Sequence, residues 1–210
     1  MTKNDFDGVA NIYDRTARFV FGSSICEAQT AFLPLIEPHS RVLIVGGGTG
    51  WVVEELLRLR PALEVVYVEK SKNMLEAAKT RVGEGDASKV KWVNDPLENW
   101  ETSAQFDAIL CHFFLDVFEY GKLEKFIVPK LVKLLKPEGK LLVSDFQQSN
   151  RIGQKILLWA MHRFFRLTCH LESRTLGDLH GALKTAGFTA IKEAYFFRQL
   201  IFSRVYNIKN

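Results

Sequence analysis

RVLIVGGGTG, residues 41–50, passes from a short apolar run into glycines at alternate positions, Gly46, Gly48 and Gly50, with Gly47 between the first two. Trp51 follows and opens an apolar–polar pattern with helical spacing. A buried parallel strand turning tightly into a helix has this form, and its glycines let a ligand lie against bare backbone. A dinucleotide-binding loop, G-x-G-x-x-G, would place its third glycine at position 51, where Trp51 stands. The loop is therefore G-x-G-x-G, and its meaning depends on what lies downstream.

Downstream, strand and helix signals alternate, the pattern of an open α/β sheet. Val42–Val45, Leu63–Val68, Val90–Val93, Phe106–Cys111 and Lys140–Ser144 read as strands. Val52–Arg60, Lys72–Val82 and Leu123–Leu135 read as helices, ended by Pro61, by Gly83 and Gly85, and by Lys136-Pro137-Glu138-Gly139. Ala190–Phe197 and Ile201–Tyr206 flank Arg198-Gln199-Leu200 as an antiparallel hairpin. Upstream, Phe6, Val9, Tyr13, Ala17 and Phe21 recur at helical spacing. The expected organisation is one domain over residues 1–210, with a helical cap at 1–38 and an extra helix at about 151–170.

With 210 residues and 47% hydrophobic content the chain can bury one sizeable core. Its net charge of +4, from 28 basic and 24 acidic residues, is too small to predict nucleic-acid binding. Cys26, Cys111 and Cys169 lie far apart with no C-x-x-C pair, which suits a reducing cytoplasm. Asp5, Asp7, Asp14, Arg15 and Arg18 near the start do not read as a secretory signal. No run of about 18 apolar residues predicts a membrane span.

Glu69 closes the second strand, 19 residues beyond Gly50. An acid there can accept hydrogen bonds from both hydroxyls of a ribose, and its loss should cost the ligand while sparing the empty fold. The competing reading is a solvated acid paired with Lys70 or Lys72. Asn94-Asp95 ends the third strand at the same rim, or simply forms an Asx turn before Pro96.

Four further stretches stand in consistent order. They are Glu69-Lys70-Ser71-Lys72-Asn73-Met74-Leu75, Phe106-Asp107-Ala108-Ile109, Leu135-Lys136-Pro137-Glu138-Gly139-Lys140-Leu141 and Gly187-Phe188. With the glycine loop they resemble the class I methyltransferases that use S-adenosylmethionine (SAM), over residues 40–210. The resemblance implies a doubly wound, Rossmann-like seven-stranded sheet of order 3-2-1-4-5-7-6, strand seven antiparallel. It implies SAM as cofactor, held by Gly46, Gly47, Gly48, Gly50, Glu69, Lys70, Asn94, Asp95 and Cys111, with Asp95 meeting the adenine amino group. Cys111, inside a strand, also reads as a small buried apolar residue. Val45 and Ile44 stand where the family often has an acid, so the amino group of SAM must be met by backbone carbonyls or from elsewhere.

Methyl transfer asks mainly for in-line approach, and a base only where the acceptor must lose a proton. His112, just after strand four, is the candidate base; a hydrogen bond to a loop carbonyl is its alternative role. Tyr13-Asp14 resembles the Tyr-Asp that covers the SAM pocket in small-molecule members, which makes Tyr13 the second candidate. Asp116 and Asp145 lack a third carboxylate, so no metal is expected. The Asn-Asp-Pro run follows strand three instead of strand four, which argues against methylation of nucleic-acid bases. Residues 155–170, KILLWAMHRFFRLTCH, form a broadly apolar helix with a basic stripe. It reads as a core helix or homodimer interface, or as a lid over an apolar, lipid-like acceptor that also approaches anionic head groups of a membrane. The expected function is SAM-dependent methylation of a small acceptor. The alternatives are a SAM-binding protein without turnover and a nicotinamide-dependent oxidoreductase, the latter opposed by Trp51 and the closing hairpin.

Overall fold

The computed structural model describes residues 21–147 and 178–208. A short helix α1 (Ser24–Thr30) and a 3-10 turn (Leu33–Leu35) lead into β1 (Arg41–Val45). Then follow α2 (Trp51–Leu59), β2 (Glu64–Val68), α3 (Lys72–Ala87), β3 (Val90–Val93) and β4 (Phe106–His112). The chain continues through a 3-10 turn (Leu115–Val117), α4 (Tyr120–Lys122), a π turn (Leu123–Ile127) and α5 (Val128–Leu134) into β5 (Leu135–Phe146). α6 (Leu179–Thr185), β6 (Phe188–Phe196) and β7 (Ile201–Ile208) complete the described chain.

The seven strands form one sheet of order β3-β2-β1-β4-β5-β7-β6. β1 to β5 run parallel and β7 lies antiparallel to both neighbours. The expected topology is thus the observed one. Alternation along each strand sends side chains to two apolar layers. Leu43, Val45, Ile109, Cys111, Leu141 and Val143 pack with Leu123, Ile127 and Leu131 on one face. Val42, Ile44, Leu110 and Leu142 pack with Val52, Val53, Leu56 and Ala78 on the other. Both faces are covered, which is why β1 is an unbroken apolar run after Arg41.

Several boundaries depart from the sequence reading for local reasons. The helix expected over Leu123–Leu135 contains Pro129, which lacks an N–H, and the turn before it widens into π geometry. β5 begins at Leu135, five residues early, because Leu135 pairs with Phe106 before the 136–139 excursion and pairing resumes at Lys140 with Ala108. Gly83 (φ 75°, ψ 164°) breaks α3 where the glycine signal placed its end, and a last turn follows. α6 was not legible as a helix; Asp178 caps it by accepting from the Gly181 N–H at 2.8 Å. Tyr13 and the 155–170 helix lie outside the described residues, as does most of the expected cap. Among the described residues no helix is long and apolar enough to cross a membrane.

Candidate functional site

The carboxyl ends of β1, β2, β3, β4 and β5 share one rim of the sheet, because these strands are parallel. β1 leaves it at Gly46, whose N–H still donates to Val68 O (2.9 Å), and the chain turns through Gly48 (φ 63°) and Gly50 (φ 84°) into α2. What surrounds each glycine separates their roles. A Cβ on Gly46 would meet the Phe114 ring, one on Gly47 the Tyr67 ring, and one on Gly50 the Cα of Ala78 at 2.6 Å. Gly48 alone of the four opens onto space, with Met74 Sδ at 4.0 Å as its nearest neighbour.

The Gly48 peptide is fixed at both ends. Its N–H donates to Glu69 Oε2 (3.1 Å), and its carbonyl accepts from the Tyr67 hydroxyl (2.9 Å). The other carboxylate oxygen of Glu69 accepts from the Ser71 N–H (2.8 Å). Glu69 is 6% exposed, and burial pushes its carboxyl above the usual range against the opposing pull of the Ser71, Gly48 and Lys70 N–H groups. Glu69 is therefore not a solvated acid paired with a lysine. It braces the loop through these two bonds, so its loss is expected to cost the empty fold as well as the ligand. Tyr67, two residues earlier on the same strand, went unnoticed in the sequence, where it read only as a strand residue.

Asn94 also serves the rim from behind. Its Nδ2 donates to Glu69 O (2.9 Å) and Lys70 O (3.0 Å), tying the end of β3 to the end of β2. Asp95 is half-buried beside it and Lys70 is exposed. The Cys111 side chain is wholly buried in the core between strands, and burial with the nearby Asp145 charge pushes its thiol upward. Of its two sequence readings the buried apolar one describes the side chain, which is closed to a ligand. Ile44 and Val45 are core residues, 1% exposed each. Neither side chain can replace the missing acid.

β4 and β5 end in a second cluster. Alternation puts His112, Ser144 and Ser203 on the face beneath α1, and Cys111, Asp145 and Phe202 on the opposite face. His112 Nδ1 lies 2.9 Å from Ser144 Oγ, which also donates to Ala28 O (2.9 Å) and lies 3.0 Å from Ser203 Oγ. His112 is 7% exposed, and burial pulls its pKa down to about 3. The imidazole is neutral and resists protonation. Asp145 is wholly buried and accepts from the Phe146 N–H (2.9 Å) and the Asp116 N–H (3.2 Å). Burial and the adjacent Asp116 carboxyl raise its pKa well above the ordinary carboxylate range. Among the described residues no group of three or more His, Cys, Asp or Glu could hold a metal.

Aromatic rings line the same end. Phe113 and Phe146 lie 5.1 Å apart, Phe21 and Phe146 5.2 Å, and Phe21 and Phe197 4.8 Å between centroids. Phe113 (φ 52°) is held in the left-handed region while its N–H donates to Ser144 O at 2.7 Å. The hairpin residues Phe197, Arg198 and Gln199 have φ of 44°, 55° and 69°, and the turn joins β5 through the Gln147 N–H to Leu200 O at 3.0 Å. Strain is thus concentrated at the rim that carries the polar groups.

The rim fits a SAM-like ligand by one test: the glycine whose missing side chain leaves open space lies beside the one buried acid at the end of β2. Comparison with known proteins points the same way. Residues 42–139 match a family model described as a methyltransferase domain. A malonyl-[acyl-carrier protein] O-methyltransferase of Anoxybacillus flavithermus is 28% identical over 112 residues, 53% of this chain and 41% of that protein. The chain thus spans about two fifths of that relative's length. A chain from the complex of the Haloferax volcanii Trm112 methyltransferase activator with a methyltransferase superposes at TM-score 0.76, with 12% identity and all of both chains covered. The Burkholderia thailandensis 1,6-didemethyltoxoflavin-N1-methyltransferase, solved with its substrate and S-adenosylhomocysteine, superposes at 0.68 with 17% identity, covering 98% of this chain and 87% of that one. These structural likenesses establish the fold.

Proposed function

We propose that this chain, whose residues 42–139 match a methyltransferase domain model, is a class I SAM-dependent methyltransferase and methylates a small acceptor with an apolar, aromatic-contacting body. One observation carries the reading: the glycine loop is closed by the Phe114 and Tyr67 side chains at Gly46 and Gly47 and by Ala78 at Gly50, and open at Gly48, beside Glu69. Gly48 gives the ligand bare backbone, Glu69 meets the ribose by exchanging a backbone N–H for a hydroxyl, and Asp95 meets the adenine edge. Backbone carbonyls at the end of β1 meet the amino group. When bound, SAM supplies a methyl group on a sulfonium, a reactive electrophile that needs no metal.

This chain's own residues then position the acceptor. Phe113 and Phe146, at the ends of β4 and β5, supply the apolar wall, and neutral His112 supplies the polar contact. The malonyl group borne by a carrier protein and the 1,6-didemethyltoxoflavin named for two similar proteins are both compact reacting groups, which supports a small acceptor moiety, and the ring cluster favours an apolar one. Calorimetry on the free protein tests the reading: SAM and S-adenosylhomocysteine should bind while NADH and NADPH give no heat. Incubation with methyl-labelled SAM and a panel of phenols, acyl thioesters and quinols should then transfer label. NADH binding without SAM binding overturns the reading, and SAM binding with no transfer across the panel favours a binder without turnover.

A further inference from the structure

The Ser144 hydroxyl has three polar neighbours and one proton. Ala28 O, at 2.9 Å, can only accept, and it belongs to the last turn of α1, where carbonyls run beyond the helix's own N–H groups. Ala28 is wholly buried, so an unpaired carbonyl there would be costly, and this assigns the hydroxyl proton to Ala28 O instead of to Ser203 Oγ or His112 Nδ1. Ser144 Oγ must then act as acceptor toward its other neighbours, Ser203 Oγ at 3.0 Å and His112 Nδ1 at 2.9 Å. A hydroxyl oxygen has two lone pairs, so the arrangement closes with Ser203 O–H and His112 Nδ1–H as the two donors. In a neutral imidazole a proton on Nδ1 leaves Nε2 bare. The structure leaves that Nε2 buried and without a hydrogen-bond partner, at the end of β4 where the acceptor is expected. A buried acceptor atom left unpaired costs stability, which a ligand's donor would recover.

We propose that Ser144 is a positioning residue which holds His112 in its Nδ1–H tautomer, so that Nε2 receives a hydrogen bond from the O–H or N–H of the methyl acceptor. The tautomer follows from the hydrogen bonds around Ser144 alone; the identity of the donor rests on the function proposed above. His112 then acts by orientation. Its bare Nε2 turns the acceptor atom's remaining lone pair toward the methyl group and discriminates against molecules whose reactive atom carries no hydrogen.

Long-range ¹⁵N–¹H spectra of the whole 210-residue chain, histidine-labelled, read the tautomer directly, with His112→Gln identifying the His112 signals. The wild type should show a protonated Nδ1 and a bare Nε2. Ser203→Ala should keep that pattern, because Ser144 still donates to Ala28 O, whereas Ser144→Ala should lose it. A wild-type spectrum with the proton on Nε2 overturns the proposal, and this outcome stands even if Ser144→Ala fails to fold. With S-adenosylhomocysteine present, phenol should shift the Nε2 signal and anisole, which has no O–H, should not. Equal shifts with both, or none with phenol, overturn the acceptor contact. Absence of S-adenosylhomocysteine binding by calorimetry would sink the proposed function while leaving the tautomer result intact.

Discussion

Glu69 joins two tasks in one side chain. Its carboxylate accepts from the N–H groups of Gly48 and Ser71, and those two bonds hold the glycine loop and the start of α3 to the end of β2. A ribose could be recognised by the same oxygens, so ligand binding draws on atoms that already stabilise the empty protein. Glu69→Ala is expected to lower the stability of the ligand-free protein by about 1–3 kcal/mol, because buried N–H groups lose a charged acceptor. SAM affinity should fall as well. Thermal melting without ligand, paired with calorimetry, checks both; an unchanged melting temperature would mean that solvent replaces the carboxylate without cost. Tyr67→Phe offers a milder contrast, since it removes one bond to Gly48 O and keeps the ring against Gly47 and Trp92. It should cost about 0.5–1.5 kcal/mol.

Within the loop and its neighbouring elements, glycines that look equivalent in sequence divide by what they face. Gly50 sits at φ 84° with its Cβ direction against the Cα of Ala78, so it sets how closely α2 and α3 approach. Gly50→Ala is expected to cost about 2–5 kcal/mol, combining left-handed strain with overpacking against backbone. Gly48→Ala should cost only about 1–2 kcal/mol of strain while weakening SAM binding, because its methyl enters the open face. Melting curves and calorimetry on the two variants should therefore rank them oppositely; equal stability losses would dissolve the distinction. This division also marks what the sequence could convey. Alternating apolar runs, the glycine loop and Glu69 at a strand end were legible because each depends on local periodicity or spacing. The contacts that give the loop its roles were not, since Phe114 over Gly46, Tyr67 beneath Gly47 and Asn94 behind Glu69 are joined only by the parallel register of β1 to β4. His112 was legible as a residue and not as a chemistry. Its neutrality comes from burial and its partner Ser144 from the β4–β5 register, in which the two residues stand opposite each other.

Taken as a whole, the molecule buries ionisable groups of opposite tendency at one end of its sheet, and its stability should show this as a function of pH. His112 has its pKa pulled to about 3, below the value of about 6.5 in an unfolded chain. Between those values the unfolded state binds a proton that the folded state refuses, so stability falls as pH drops, by up to about 1.4 kcal/mol per pH unit. Asp145 and Glu69 are shifted upward. For them the folded state keeps a proton that the unfolded state releases above about pH 4, so their contribution falls as pH rises toward their folded values. The slopes oppose each other over the mildly acidic range, and two variants separate them. His112→Gln should flatten the loss of stability on going from about pH 6.5 to pH 4 relative to wild type. Asp116→Asn removes the like charge that helps raise Asp145 and should flatten the opposite decline above about pH 4. Melting temperatures of the three proteins across pH 4–8 give the comparison. If the wild-type and His112→Gln curves run parallel, the His112 imidazole accepts a proton in the folded state as readily as in the unfolded one. The imidazole would then be charged below about pH 6.5, and its bare Nε2 would be confined to higher pH.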